Sequence, residues 1–254
     1  MQHSSYDTGM PPYDLEVVVP AFNKADEIAA ALARICDTLR SNGLAFRVHV
    51  VFDGPDPIAV GRVIEADMPE VSIHQLPIQS GKGSAVRYGF IQTISEFVAY
   101  IDGDLDLDPI SLFEGYKVLL KSPDRRLACV YGSKFHEGST VNYPLIRRSL
   151  SLGYRAFIRV LFGFRIDDTQ TGLKLYKRAA LLDALMNSQE DRFLFDLEIF
   201  VLLKKSGCNF VSIPVNLQYN YSSTIGLSSI RVMFRDTMKL FWKISRKRFS
   251  RLVE

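Results

Sequence analysis

Near-continuous apolar runs that alternate with helical periodicities constrain this chain more than any other feature. The runs Glu16 to Val19, Phe46 to Phe52, Val71 to Leu76, Phe97 to Ile101 and Ala128 to Gly132 are apolar along most of their length. Strands of that kind are buried on both faces. Between them, Asp26 to Leu39, Pro57 to Ala66, Ser84 to Ile94 and Ile110 to Leu120 carry helical patterns. The alternation predicts an α/β fold, a mostly parallel sheet flanked by helices. A chain of 254 residues can bury a full core as one large domain or as a domain plus extensions. No internal repeat, low-complexity tract or Gly/Ser linker marks a division.

In such sheets ligands bind beyond the carboxyl ends of the strands. The first strand ends at Pro20-Ala21-Phe22-Asn23, the second at Asp53-Gly54 and the fourth at Asp102-Gly103-Asp104, so these residues fall on one rim. Residues two apart on a strand project to the same side. Asp102 and Asp104 therefore bring paired carboxylates to one spot, and Gly103 between them lets backbone approach a ligand. Hard cations such as Mg²⁺ or Mn²⁺ take oxygen ligands of this kind and share them with phosphates, which suggests a nucleotide-diphosphate site. Two plainer readings compete. Asp102, Asp104, Asp106 and Asp108 alternate as in an EF-hand loop, but Leu107 stands at the turn glycine and Phe113 at the bidentate glutamate. An acidic pair at a strand end also commonly caps the next helix, and Asp108-Pro109 reads as an N-cap followed by an N1 proline.

Composition narrows the class. With 31 Lys and Arg against 28 Asp and Glu, the net charge of +3 argues against a dedicated nucleic-acid binder. Cys36, Cys129 and Cys208 lack metal-type spacing and read as reduced structural thiols. No stretch reaches the roughly eighteen apolar residues that span a bilayer, and Met1-Gln2-His3-Ser4-Ser5 is no signal peptide, so a cytoplasmic location is expected. His3, His49, His74 and His136 lie off the rim and read as surface or packing residues.

The rim residues carry a family resemblance. Val17-Val18-Val19-Pro20-Ala21-Phe22-Asn23, Phe52-Asp53-Gly54, Gly81-Lys82-Gly83-Ser84-Ala85-Val86-Arg87-Tyr88-Gly89 and Asp102-Gly103-Asp104 resemble, in order and spacing, family 2 inverting glycosyltransferases of GT-A (Rossmann-like) fold. The likeness continues through Gly132-Ser133-Lys134, Asp168-Thr169-Gln170-Thr171-Gly172-Leu173-Lys174 and Phe193-Leu194-Phe195-Asp196-Leu197-Glu198, and covers roughly residues 14 to 230. The branch it most resembles is the polyprenyl-phosphate glycosyltransferases, which include dolichyl-phosphate mannose and glucose synthases. The resemblance implies a GT-A domain over 14–228, and the residue pattern beyond it reads as a basic amphipathic helix within 229–254.

It also implies roles. Pro20, Phe22, Val51 and Asp53 would hold the base and ribose of a nucleotide sugar. Asp102, Gly103 and Asp104 would hold the donor, and Asp102, Asp104 and Asp106 the divalent metal, Mg²⁺ or Mn²⁺. Lys82, in a Gly81-Lys82-Gly83 turn that offers N–H groups to an anion, would support the nucleotide. Lys134 and Lys174 stand where relatives commonly have arginine, and with Asp102 and Asp104 they would stabilise the leaving diphosphate. Some positions depart from the family pattern. Lys24 replaces a usual Glu, Phe52 replaces the first Asp of Asp-Asp-Gly, and Ser223 and Ser229 replace basic residues of a late element, which leaves Arg231 of the following helix to compensate.

Pro144 to Phe164 interleaves Leu145, Ile146, Leu150, Phe157, Ile158, Leu161 and Phe162 with Arg147, Arg148, Arg155 and Arg159. Ser229 to Phe249 sets Arg231, Arg235, Lys239, Lys243 and Arg246 against Ile230, Met233, Phe234, Phe241 and Ile244. Basic amphipathic helices suit an anionic membrane surface, and the rival reading is a helix covering the sheet with a solvated basic face. The expected activity is transfer of a sugar from a UDP- or GDP-sugar to polyprenyl or dolichyl phosphate, with inversion, by a peripheral enzyme on the cytoplasmic membrane face. Some short members of the family rely on membrane-protein partners. Two alternatives stand beside it. One is a glycosyltransferase with a saccharide or small soluble hydroxyl acceptor, which needs a base such as Asp196 or Glu198. The other is a non-catalytic nucleotide-sugar-binding or scaffold protein.

Overall fold

A valine run with no exposed side chain forms the centre of the sheet. Val17, Val18 and Val19 are fully buried in strand β1 (Leu15–Ala21), as β-branched residues in a doubly covered strand should be. A computed structural model describes residues 12–23, 25–104, 106–141, 145–192, 194–217 and 227–250, with the side chains of 141, 145–150, 227–231 and 246–250 excepted. Lys24, Ser223, Arg147, Arg148, Ser229, Arg231 and Arg246, each singled out in the sequence, fall in whole or in their side chains outside the described residues.

After β1 come α1 (Ile28–Ser41), β2 (Phe46–Phe52), α2 (Pro57–Glu65), β3 (Val71–Gln75), α3 (Lys82–Gln92), β4 (Phe97–Ile101), α4 (Ile110–Lys121) and β5 (Leu127–Ser133). The second half contributes β6 (Thr140–Val141), α5 (Leu145–Phe162), β7 (Leu173–Lys177), α6 (Arg178–Asn187), α7 (Phe195–Lys205), β8 (Asn209–Pro214), β9 (Asn216–Leu217) and α8 (Leu227–Ser250). The seven-stranded sheet runs β3-β2-β1-β4-β7-β5-β8. All its pairings are parallel except those of β7, which is antiparallel to both β4 and β5. The expected mostly parallel α/β sheet is thus present, with one reversed strand in its middle. A short parallel pair, β6 and β9, lies apart from it.

Two apolar cores sandwich the sheet. One joins Val17, Val19, Val48, Val50 and Ala99 to Ile28, Leu32 and Ile35 of α1 and Leu112 of α4. The other joins Val18, Val51, Tyr100 and Tyr176 to Val86 and Phe90 of α3, Phe200 of α7, and Leu240 and Ile244 of α8. Phe52, the residue in place of a family aspartate, is 1% exposed and belongs to the first core.

Helix α8 uses one side for packing. Thr237 is buried and its hydroxyl meets Tyr154 Oη of α5 at 2.8 Å, while Phe234 and Phe241 touch Phe157 and Phe162 with ring centroids 4.8 and 5.7 Å apart. The covering role therefore accounts for the apolar side of the helix. Among its cations, Lys243 pairs with Glu190 at 3.0 Å, and Arg235 and Lys239 both reach Asp236. Among the described residues no helix is long and apolar enough to cross a membrane.

Away from the rim, the carboxylate of Glu16 ties three segments together. It accepts hydrogen bonds from Ile94 N and Ser95 N at 2.6 Å each and from His49 Nε2 at 3.0 Å. Burial pushes the Glu16 pKa up, but these hydrogen bonds outweigh burial and hold it below the ordinary carboxylate value. His49 Nδ1 in turn faces His74 Nε2 at 3.0 Å. The histidines thus belong to packing, as their distance from the rim suggests. One local expectation is corrected. Helix α4 begins at Ile110 with Pro109 at the N-cap, and Asp108, one residue further out, accepts from Ile110 N at 3.1 Å.

Helix α3 can lie close on the sheet only because Gly89 has no side chain. An added methyl would overlap Val18 Cγ1 and stand 2.9 Å from Cγ2 and 3.1 Å from Val51 Cγ2. Valine has little rotamer freedom to yield. The substitution Gly89→Ala should therefore destabilise the protein by about 1–3 kcal/mol, read as a lowered urea midpoint with an unchanged slope. A midpoint equal to wild type would show that α3 lifts off the sheet at no cost.

Candidate active site

Strand order decides where the site lies. Beyond β1 the chain proceeds outward through β2 and β3, and β4 returns to the other side of β1. The carboxyl ends of β1 and β4 therefore flank the switch point where such sheets bind ligands. Phe22 and Asn23 leave β1 there, and Asp102-Gly103-Asp104 leaves β4. Phe22 is 46% exposed, available for stacking, and Asn23 has φ +50°, a left-handed conformation that asparagine tolerates. Beside them a cleft of about 340 Å³ is lined by Asn23, Ala25, Asp26, Glu27 and Asp56. At Gly103 a Cβ would stand 3.0 Å from Ile28 Cδ1 and 3.1 Å from Val19 Cγ1, so glycine lets the strand end settle on α1.

The segment from Asp168 to Lys174 gathers the remaining groups. Asp102 N donates to Gly172 O at 2.9 Å, and Asp102 Oδ2 lies against Gly172, where any side chain would collide with it. Thr171 Oγ1 and Asp168 Oδ2 both hold Lys134 Nζ, each at 3.1 Å. Asp168 further accepts from Gln170 N at 2.9 Å and from the Thr171 hydroxyl at 2.5 Å. Burial raises the Asp168 pKa, but Lys134 and these hydrogen bonds outweigh it and hold the carboxyl below its ordinary value of 3.8. Lys134 is thereby anchored just beyond the end of β5.

Lys174 requires a correction. It is 0% exposed, and its Nζ donates to Tyr100 Oη and Thr171 O at 2.7 Å each and pairs with Asp196 at 3.2 Å. The Tyr100 hydroxyl donates to Asp196. Burial pushes the Lys174 pKa down, opposed in part by Asp196, and burial with the Asp196 charge pushes that of Tyr100 well up, so the phenol stays protonated. An enclosed ammonium with three partners cannot touch a donor phosphate. Its place is beneath the rim, propping the Thr171 carbonyl.

Asp53 and the glycine-rich turn also differ from expectation. The Asp53 carboxylate accepts from Ser80 N at 2.7 Å and Gly81 N at 2.9 Å, and Ser84 N donates to Asp191 O at 3.2 Å. Two of these N–H groups are thus taken by a carboxylate of the protein and one by a backbone carbonyl. Gly81 has φ +106°, and a Cβ there would stand 2.5 Å from Asp191 O, so glycine is required twice over. The turn delivers Lys82, whose Nζ lies 2.5 Å from Asp102 Oδ1. Enclosure works against that charge, but the carboxylates of Asp102, Asp196 and Asp104 outweigh it and raise the Lys82 pKa. The Val51 side chain is fully buried and packs in the core beneath α3. Pro20, half-buried, pairs with it across the sheet.

The residues fit a divalent cation in part. Asp102 and Asp104 supply hard oxygen donors two residues apart on the rim, and Asp104 Oδ1 accepts from Asp106 N at 3.3 Å. Among the described residues no three acidic, histidine or cysteine side chains converge as a complete cage. Such a pair suits an ion that completes its shell with diphosphate oxygens. Sequence reasoning gives no role in this site to Tyr100, Asp168, Thr171 or Gly172, and reads Asp196 only as a candidate base. The signal of Asp168, Thr171 and Gly172 lies in the Asp-Thr-Gln-Thr-Gly-Leu-Lys run, but their partners come from other strands.

Comparison with known proteins agrees with this geometry. The family described as Glycosyl transferase family 2 matches residues 16–184. A dolichyl-phosphate beta-glucosyltransferase of Trichomonas vaginalis is 28% identical over 252 residues, covering 92% of this chain and 77% of that protein. The dolichyl-phosphate beta-glucosyltransferase of Saccharomyces cerevisiae is 26% identical over 223 residues, covering 80% of this chain and 66% of its own length. Glucosyl-3-phosphoglycerate synthase from Mycobacterium tuberculosis, solved with Mn²⁺, uridine-diphosphate and phosphoglyceric acid, aligns with a TM-score of 0.66 at 17% identity, over 90% of this chain and 77% of that one. That likeness shows the fold, an α/β sheet of GT-A type.

Two outcomes follow from the buried charges. Lys174→Met leaves Asp196 enclosed without its cation and should cost about 3–5 kcal/mol, with much of the loss recovered in Lys174→Met/Asp196→Leu; thermal melts of the two variants check this, and equal melting temperatures would refute the pairing. For Asp168 the folded pKa is depressed, so its contribution is present above the unfolded value of 3.8 and is lost as pH falls through the lower folded value. The stability gap between wild type and Asp168→Asn should accordingly stay constant near neutrality and narrow as pH falls below 3.8 in urea titrations; a gap that widens would show the opposite sign.

Proposed function

This chain belongs to glycosyl transferase family 2, and from that premise we propose that it moves a sugar from a UDP- or GDP-sugar to dolichyl or another polyprenyl phosphate, with inversion at the anomeric carbon. The observation that carries the acceptor class is the state of the two carboxylates available as a general base. Asp196 is buried against Lys174 and Tyr100, and Glu198, 3% exposed, accepts from Gln189 N and Glu190 N at 2.8 Å each. A sugar hydroxyl needs a positioned base to take its proton. A phosphate monoester, with its second ionisation near pH ~6, arrives as an anion and needs none. The names of the relatives point to the same acceptor, and the occupied carboxylates weigh against a hydroxyl acceptor.

The chain's own residues bind and orient. Phe22 and Pro20 offer surface to the base, and Asp53 acts by fixing the turn that bears Lys82. Asp102 and Asp104 would hold Mg²⁺ or Mn²⁺, which when bound offsets charge on the leaving diphosphate. Two of the three Lys134 donors are taken by Asp168 and Thr171, and the third would serve a phosphate oxygen. The acceptor phosphate attacks from the side of the sugar opposite the diphosphate, so that positioning and charge stabilisation supply the catalysis. Lipid contact, on the cytoplasmic face and with or without a membrane-protein partner, is assigned to α5 and α8. Leu152, Val160, Val232 and Trp242 are exposed there, and Arg235 and Lys239 are open on the same helix as Trp242.

The test is incubation of purified protein with UDP- and GDP-sugars, Mn²⁺ and either dolichyl phosphate or free dolichol. Transfer should occur to the phosphate only. Asp104→Ala should lose at least about 100-fold in rate while keeping its fold by circular dichroism, and EDTA should do the same to wild type. Transfer to dolichol or to a saccharide at a comparable rate overturns the acceptor, and full activity in EDTA overturns the metal.

A further inference from the structure

The Asp102 carboxylate already has a cation beside it. It packs on Gly172, where a Cβ would collide with Oδ2 and stand 2.8 Å from Oδ1, and the strand end is held there by the Asp102 N to Gly172 O hydrogen bond of 2.9 Å. The Asp102 side chain is 27% exposed, and Lys82 Nζ lies 2.5 Å from Oδ1. We infer that Lys82 and the divalent cation are alternative partners of this carboxylate, so that the cation enters the site together with the nucleotide diphosphate and not before it. The inference rests on the reading of Asp102 and Asp104 as the cation site.

The two cations exclude each other on distance. A metal held by the same carboxylate would sit within a few ångströms of the ammonium, where like charges repel strongly in a partly enclosed site. Which of them yields is decided by what each is attached to. The backbone of Lys82 is fixed: Asp53 holds the N–H of Gly81, Asp191 O holds that of Ser84, and a Cβ at Gly83 would stand 2.7 Å from Phe195 Cβ. The four-carbon side chain is not fixed in that way. It lies over the Tyr100 ring at 5.2 Å and is 30% exposed, so it can turn outward. Nothing rewards that movement until an anion is present to receive the ammonium. A diphosphate supplies that anion and oxygen ligands for the metal at once. Binding of metal and of nucleotide is therefore positively coupled, and by linkage each raises the affinity of the other by the same factor. In the donor-free enzyme Lys82 neutralises Asp102 and keeps the rim assembled.

Mn²⁺ binding read by electron paramagnetic resonance, with and without UDP or GDP, tests this without reference to turnover. Lys82→Met should bind Mn²⁺ in the absence of nucleotide about tenfold more tightly than wild type, and the nucleotide-induced gain should shrink by a similar factor, within the range usual for coupled sites. Lys82→Arg, which keeps the charge, should behave as wild type. Should Lys82→Met melt well below wild type, Lys82→Gln is read in its place. Nucleotide-free affinity that is unchanged or weaker in the charge-removing variant, while wild type binds Mn²⁺ with nucleotide and Asp104→Ala does not, overturns the competition alone. Lys82→Arg binding as tightly as Lys82→Met does the same. Absence of Mn²⁺ binding to wild type under every condition overturns the cation site and the competition together.

Discussion

The contact between the Asp102 carboxylate and Gly172 sets the geometry of the rim. Strand β4 ends against the antiparallel strand β7, and the turn before β7 must pass directly beneath the carboxylate, which only a residue without a side chain allows. From that point the other groups are placed by short steps. Thr171, one residue earlier, holds Lys134 from β5, and its carbonyl is held by Lys174 one layer below. The reversed strand is therefore more than an irregularity in a parallel sheet, because it brings a turn to the carboxyl ends of β4 and β5 from the opposite direction.

Charges beneath the rim are arranged in two layers. The lower one, Lys174 with Asp196 and Tyr100, is closed to solvent and closes its own hydrogen bonds. A buried pair of this kind adds little net stability over apolar packing but is costly to break. Its effect is to hold the floor of the site in one arrangement. The upper layer, Lys82 with Asp102 and Lys134 with Asp168, lies at the rim; Asp168 is buried and keeps Lys134 in place, while the Lys82 and Asp102 side chains are 30% and 27% exposed. The floor and Lys134 are thus fixed, and Lys82 is the cation with room to turn.

Much of this arrangement is legible in the amino-acid sequence. The alternation of apolar runs and helical patterns identifies the layered sheet, and the strand boundaries agree to within about two residues, the usual uncertainty of such boundaries. The rim assignment of Asp102 and Asp104 follows from strand ends, because chain direction in a parallel sheet sends every carboxyl end to one side. What is not legible is which conspicuous residues face the ligand. Asp53, Val51, Gly103 and Lys174 all lie in the right segments, yet the first secures a loop, the next two pack, and the last is sealed below. Residue type and spacing do not distinguish a carboxylate aimed at a ligand from one aimed at the backbone of a loop 27 residues away.

The sequence by itself determined the elements of the first half, the class of fold, the family and the rim of the sheet on which Asn23, Asp53, Asp102 and Asp104 fall. These depend on local periodicity and on motifs within a dozen residues, where the physics is that of neighbours along the chain. Tertiary structure alone decided the partners. The reversal of β7, the closure of Asp196 by a lysine and a tyrosine from two other strands, and the hold of Lys82 on Asp102 all join segments distant in sequence. Each is settled by burial, because a charge withdrawn from water must find its counterpart wherever packing has placed one.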